Sequence, residues 1–377
     1  MPELSVVPNS GLILLFILFI LTFVFLNLYY WVIFYRLAIY KEKAEKISEQ
    51  GVSVVICARD EYSRLKENLP MILEQNYSNY EVLVVNHASD DDSSFLLARM
   101  AEHYPHLKII EIREDLNFFT GKKFPLSIGI KSAKNDIVLL TDADCKPAGK
   151  NWISMMQQFC VDPTEIVLGY GPYGYKKGIL NKLIRFDTAT IAVQFLSCAL
   201  AGIPYMGVGR NIEYRKSLFY QNKGFTSHYR IDSGDDDLFI NSVANNTNTR
   251  IILDPESFTF SEPKTKFRDW ILQKKRHLST GRFYRGQHKV LLGSYALSQF
   301  LFYFFFVLLL ALNYAVPLVL IILFVKLFSQ MFVFGKCMVR LQEKKIWIYI
   351  PFFEIFFLLL NTSISVSNLF SKPNKWK

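Results

Sequence analysis

The chain has 377 residues, a formal net charge of +10 and a 51% hydrophobic composition that includes 33 Phe, a load that is high for a soluble protein. Five cysteines (Cys57, Cys145, Cys160, Cys198 and Cys337) are odd in number and unpaired in spacing. They imply neither a disulfide framework nor a zinc site, in keeping with a reducing compartment. The positive charge is not that of a nucleic-acid binder: nine Lys or Arg against one acidic residue lie between Lys264 and Lys289, beside an apolar run. A basic collar drawn to anionic membrane lipid accounts for most of it.

In chain order, the first feature is an apolar run without a charged side chain from Leu4 to Tyr35, long enough to cross a bilayer. A signal peptide is the rival reading, but there is no basic leading segment, the apolar core is too long and no small-x-small cleavage site follows. A retained anchor is expected, with a buried core helix as the alternative for this run and for those at the far end.

A soluble middle follows, alternating strands and helices. VSVVICA (52–58), YEVLVVN (80–86), LKIIEI (107–112) and DIVLLTD (136–142) read as strands, separated by helices over about 63–75, 93–103 and 122–133. Nearly continuous apolar strands joined by helices predict a parallel sheet covered on both faces. Ligands of such sheets bind at the carboxyl ends of the strands. Two acidic clusters fall there, NHASDDDS after the second strand and DADC after the fourth. An extended backbone would set Asp142 and Asp144 on one face, roughly 7 Å apart. The pair reads either as a polar loop or as a divalent-cation site.

Neither G-x-x-x-x-G-K-[ST] nor G-x-G-x-x-G follows the first strand, so an acidic crevice must hold an anion through a hard metal such as Mg²⁺ or Mn²⁺. GYGPYGY (169–175) reads as a turn. SGDDDLFIN (233–241) places three aspartates at a helix start. Capping explains one of them, and mutual repulsion suggests that at least one other is held for chemistry. DWILQKKRHLSTGRFYRG (269–286) is basic and aromatic, a lipid-facing collar or a phosphate-binding segment.

Residues 290–335 carry one charge, Lys326, a length suited to two spans with LNYAVP (312–317) as the turn. The last apolar run, 346–370, contains Pro351 and Glu354. It crosses the membrane, re-enters it or lies at its interface. Basic residues flank the first run, precede the second and follow the third, so the positive-inside rule puts residues 41–289 in the cytoplasm and the N-terminus outside. The basic tail SKPNKWK favours a last segment that does not fully cross.

The order of these motifs resembles the family 2 glycosyltransferases, particularly membrane-anchored bacterial members, over residues 52–286. SVVICARDE is similar to the family's first strand and donor loop, VNHASDDDS to its acidic strand end, TDADCKP to its metal-binding D-x-D, GDDDL to its general-base motif and QKKRH to a variant of Q-x-x-R-W. The resemblance implies an α/β, glycosyltransferase-A-like, mostly parallel sheet flanked by helices, with one N-terminal and two to three C-terminal transmembrane helices. It divides the chain into an anchor (1–40), a cytoplasmic catalytic domain (41–289) and a C-terminal membrane region (290–377).

The implied activity is inverting transfer of a sugar from a nucleotide-diphosphate-sugar donor to a lipid-linked or cell-envelope glycan acceptor at the inner membrane, with envelope-biosynthesis proteins as partners. Asp235 takes the role of general base, and Asp142 and Asp144 that of metal ligands. Donor contacts fall on Ala58, Arg59, Glu61, Asn86, Asp91, Lys122, Lys123 and Asp142. Asp237, Gln273, Arg276 and His277 fall to the acceptor or the diphosphate. The chain departs from the pattern at Asn86 and His87, where acidic residues are usual, at Gly234 in place of Glu and at His277 in place of Trp. A processive polysaccharide synthase and an inactive scaffold of the same fold are the alternatives.

Overall fold

A computed structural model describes residues 10–42, 49–113, 121–231 and 233–370. Helix α1 (Ser10–Leu28) runs through a π turn at Tyr29–Phe34 into α2 (Tyr35–Ile39). The chain then continues as β1 (Val52–Ala58), α3 (Tyr62–Leu73), β2 (Tyr80–His87), α4 (Ser93–His103), β3 (Leu107–Ile112), α5 (Lys123–Ser132) and β4 (Ile137–Asp142). After it come β5 (Cys145–Pro147), α6 (Trp152–Gln157), β6 (Ile166–Leu168), α7 (Ile179–Leu200), β7 (Ile212–Arg215), α8 (Lys216–Gln221), α9 (Asp237–Val243), β8 (Thr249–Ile251), β9 (Thr259–Ser261) and α10 (Phe267–Leu278). Three long helices close the chain: α11 (Gly286–Ala311), α12 (Val316–Arg340) and α13 (Ile350–Phe370).

Seven strands form one sheet in the order β3-β2-β1-β4-β7-β6-β8. β3, β2, β1 and β4 are parallel, and β7 runs antiparallel between β4 and β6. The unbroken apolar character of β1 has a simple cause. Its alternate side chains enter two cores: Val55 and Cys57 join Leu126 and Ile130 on one face, while Val54 and Ile56 join Leu65 and Leu69 on the other. Because β7 starts at Ile212 opposite Leu140 and runs back to Arg215 opposite Ile137, the loop ahead of it delivers Arg210 to the carboxyl end of β4.

The expected strands stand where the apolar runs put them, and the helix over 63–75 ends early, at Leu73. Gln75 turns back there and donates to the carbonyls of Met71 and Gly149. The tight turn at 312–317 is present, with Asn313 and Ala315 both at positive φ. Residues 1–9, with the start of the first apolar run, 43–48, 114–120, 232 and 371–377, including the basic tail, lie outside the described set.

Among the described residues, five helices are long and apolar enough to cross a membrane: Ser10–Ile39, Ile179–Leu200, Gly286–Ala311, Val316–Arg340 and Ile346–Asn368. The second of these, α7, is new relative to the sequence reading. It packs against α2, α12 and β8, and its polar end is tied down by Arg185 to Glu343 and by Asp187 to Lys274 of α10. α13 stays beside α7 and α10 along its length. Tyr349 just ahead of it accepts from Lys182 of α7, Phe357 meets Trp270 of α10 edge-on, and Asn368 donates to the carbonyl of Lys275.

Candidate active site

β1 and β4 end side by side, with Cys57 opposite Asp142. The backbone does not continue extended past Asp142, as the sequence reading assumed. It turns through Ala143 and Asp144 into β5, which is held by β9. The turn, not a strand pleat, gathers ligand atoms of Asp142, Asp144 and Cys145 within 4.8 Å of one another.

Charge around this turn is unevenly balanced. Lys122, at the start of α5, donates to Asp142 Oδ1. Burial opposes ionisation of Asp142, but Lys122 first, then Arg210 and Arg276, hold its carboxyl below the usual range. Asp144 is pushed up, by burial and then by the charge on Asp142. The turn therefore sets two carboxylates side by side among the charges of Lys122, Arg210, Arg276 and Arg64. Cys145 is a poor third ligand, since burial keeps its thiol protonated, and its Sγ lies 2.9 Å from Ser261 Oγ. Two carboxylates in such a setting fit a hard divalent cation.

A chain of contacts leads from this turn to α10. Arg210 donates to Ser261 Oγ at 3.3 Å and stacks 4.4 Å above the Tyr173 ring, whose hydroxyl accepts from Gln273 at 3.2 Å. GYGPYGY is thus irregular backbone, as expected, and it lines this path through Tyr173. Arg276 lies within electrostatic reach of Asp142, and His277 is exposed on the same helix. Lys274 anchors α10 to Asp187 at 2.7 Å.

The three aspartates of GDDDL separate by role. Asp236 caps α9, accepting from the Asp237 and Gly209 N–H groups, each at 2.7 Å. Burial, then repulsion from Asp235 and Asp237, raises its pKa to about 7. Asp237 points inward, 7% exposed, and accepts from Thr280 Oγ1 at 2.5 Å and Tyr284 OH at 2.9 Å. It braces the segment between α10 and α11. Asp235 is partly exposed and within electrostatic reach of Lys122. Among the described residues no hydrogen bond ties its carboxylate down. Gly234 stands where the resemblance puts Glu because the backbone there has φ +97°, and a Cβ would meet Leu238 at 2.4 Å.

Lys123 is 1% exposed and donates to the carbonyls of Ile231 and Ser233, so it fixes the loop ahead of Asp235 while Lys122 faces the carboxylates. Ala58 ends β1 opposite Asn86, with Arg59 half-buried beyond it. Glu61 pairs with Arg64 at 2.7 Å. Asp91 accepts from the Tyr62 and Ser93 N–H groups, joining the starts of α3 and α4. Asn86 is buried and engaged with Ser89, Ser94 and Glu111, and His87 is buried against Phe124. Sequence reasoning missed Arg210, Tyr173, Thr280, Tyr284 and Glu111. The only local signal was a basic residue in GVGRN just before a strand.

Residues 53–230 match the family model described as Glycosyl transferase family 2. The poly-β-1,6-N-acetyl-D-glucosamine synthase of Staphylococcus aureus (strain COL) is 25% identical over 143 residues, 38% of this chain and 34% of that protein. The synthase of the same name from Staphylococcus epidermidis is 25% identical over 170 residues, 44% of this chain and 40% of that one. The chain therefore spans well under half the length of these curated relatives. Among solved structures, a mannosyltransferase from Pyrobaculum calidifontis in complex with GDP-Man and Mn²⁺ superposes with a TM-score of 0.62 at 19% identity, over 96% of this chain and 99% of that one. That likeness establishes the glycosyltransferase-A fold. The class that fold and site define is a membrane-associated glycosyltransferase. Within it, the chain carries a glycosyltransferase family 2 domain.

Proposed function

We propose that the chain is an inverting glycosyltransferase of the cytoplasmic membrane, moving a sugar from a nucleotide-diphosphate-sugar donor to a lipid-linked or cell-envelope glycan acceptor. One observation carries the reading: two carboxylates gathered at one turn and an untethered Asp235 lie about Lys122 in one crevice at the strand ends. Asp142 and Asp144 would hold Mg²⁺ or Mn²⁺, which would neutralise charge on the departing diphosphate. Lys122, Arg210 and Arg276 surround that position with fixed positive charge. Asp235 takes the proton of the acceptor hydroxyl as general base. Lys123 and Gly234 hold the loop that presents it, and Asp236 and Asp237 are occupied in building that loop. The apolar helices and the basic segment ahead of α11 support an acceptor presented at the membrane surface. The domains follow as an anchor over 1–40, a cytoplasmic catalytic part over 41–289 and a membrane region over 290–377.

The names of the staphylococcal relatives support a second reading, processive polymer synthesis. Product length on a gel separates it from single transfer. The primary test is nucleotide release by the full-length protein in detergent, supplied with UDP-, GDP- and TDP-sugars and Mn²⁺. Turnover with one donor class is expected, lost in Asp235→Asn. Undiminished turnover in that variant overturns the assignment.

A further inference from the structure

A cavity of about 500 Å³ opens where α11 begins, away from the crevice. Four stretches of chain wall it: the π turn after α1, the loop after α7, the residues that follow α9 and the first turns of α11. Tyr29 of the π turn closes one side. It donates to the Leu291 carbonyl at 2.7 Å, and its oxygen lies 3.1 Å from Ser294 Oγ. Asn241 of α9 supports the wall from behind. It accepts from the Arg285 N–H at 2.9 Å and donates to the Tyr205 carbonyl at 2.7 Å and to His288 Nδ1 at 2.8 Å. With both ends of that amide assigned, Nδ1 accepts, so the proton of the His288 ring sits on Nε2. His288 is 1% exposed. Its Nε2 lies 3.2 Å from the Gln287 amide, which turns its oxygen toward that proton.

The lining is one-sided in charge. Among the described residues that form it, Arg285 is cationic and none is a carboxylate. The Arg285 guanidinium gives one N–H to the Ser242 carbonyl and has further donors to offer. Asn245 spends its oxygen on the Thr247 and Asn248 N–H groups, each at 2.9 Å, so its nitrogen is the end it can offer. Donors of this kind recognise an anion. The remaining wall is apolar, with Ile203, Pro204 and Leu291 in it and Val290 exposed at its mouth. From there the exposed apolar surface of α11 continues through Leu297, Phe300 and Phe304. α11 is long and apolar enough to cross a membrane, and hydrocarbon then covers that surface. The cavity therefore stands at the level where head groups give way to acyl chains.

We propose that this cavity binds the phosphodiester of an anionic membrane lipid. Arg285 and the amides beside it take the phosphate and a hydroxylated head group, while the acyl chains leave past Val290 and Leu291 along α11. A zwitterionic head group brings a cation as well, and that cation would meet Arg285 with no carboxylate to receive it. Free phosphate would use the donors but leave the apolar wall uncovered. The occupant is not an acceptor. Asp237 bonds Tyr284, whose ring lies 6.0 Å from that of Tyr205, which in turn lies 6.3 Å from that of His288. Two buried tyrosines thus stand between the cavity and the GDDDL segment. The lipid is a resident one that ties the π turn and the end of α9 to α11.

The test is calorimetric titration of the full-length protein in an uncharged maltoside detergent. The probes are dioctanoyl-phosphatidylglycerol, dioctanoyl-phosphatidylcholine and inorganic phosphate. Phosphatidylglycerol should bind at least about tenfold more tightly than either of the others. Arg285→Gln should weaken it by about tenfold or more, the usual worth of a hydrogen bond to a charged group. Asn246→Trp sets a bulky ring at the exposed rim and should block binding without altering charge. Lys289→Gln removes a neighbouring exposed charge outside the lining and should keep affinity within about twofold. Thermal unfolding without lipid should match the wild type in all three variants, since each replaces an exposed side chain. Equal losses in Arg285→Gln and Lys289→Gln would mean a diffuse basic collar and overturn the site. Phosphatidylcholine or inorganic phosphate binding as tightly as phosphatidylglycerol, or wild-type affinity in Asn246→Trp, would overturn it too. None of these outcomes involves Asp235, so the site stands or falls apart from the donor reading.

Discussion

Two lysine–carboxylate pairs in this chain share a chemistry and differ in what remains after pairing. Lys326 of α12 is fully buried and donates to both oxygens of Glu354 at 2.6 Å, to Gln330 at 2.9 Å and to Tyr303 at 3.1 Å. Glu354 also accepts from Gln299 and Tyr303. Every strong partner there is matched, so the cluster joins α11, α12 and α13 and offers nothing to a ligand. Lys122 pairs with Asp142, whereas Asp144, whose carboxyl is pushed up by burial and then by its neighbour, has Arg210 and Arg64 within electrostatic reach but no salt bridge among the described residues. A saturated pair holds structure together; a pair with a second, unbridged carboxylate beside it marks a place where something else binds.

The largest effect that would break this contrast is on the crevice side. Asp144→Asn removes one of the two ligand carboxylates and should cost on the order of 10³-fold in metal-dependent turnover, the several kcal/mol that a bound cation supplies, with thermal unfolding unchanged. Nucleotide-release assays against cation concentration check it. The mirror experiment is Lys326→Met, which strands Glu354 and should cost about 3–5 kcal/mol of stability while sparing turnover per folded molecule. Adding Glu354→Leu should restore most of that loss in denaturation curves.

Asp237→Asn gives a smaller effect, about 2 kcal/mol from weakened bonds to Thr280 and Tyr284, read by thermal unfolding. A pH slope tests the same segment. Asp236 moves from the usual 3.8 up to about 7 in the fold, so the folded state holds a proton that the unfolded chain releases. Its contribution to stability is present below about pH 4, falls as pH rises to about 7 and is constant above. Asp236→Asn should remove that part of the slope in melts across this range.

Much of the fold was legible in the sequence because β1, β2 and β4 are buried on both faces, which forces unbroken apolar runs such as VSVVICA. The D-x-D and the GDDDL segment were legible as clusters, since aspartates in series are costly unless used. What each aspartate does was not. Asp237 turns inward because Thr280 and Tyr284 arrive from a distant segment, and Asp235 stays open by default. Arg210 reaches Asp144 only because β7 runs antiparallel to β4. Glu111 reaches Asn86 only through the register of β2 on β3. α7 escaped notice because Lys182, Arg185 and Asp187 break its apolar run, and their partners lie elsewhere in the fold.

The central claim is that Asp142 and Asp144 together hold a divalent cation beside Asp235. Its most direct test is Mn²⁺ binding to the full-length protein in the presence of nucleotide, followed by the ion's paramagnetic signal in wild type, Asp142→Asn and Asp144→Asn. The account predicts one bound ion in the wild type, lost in both variants together with nucleotide release. Retained Mn²⁺ binding in both variants, or full turnover after chelation of the metal, would contradict it.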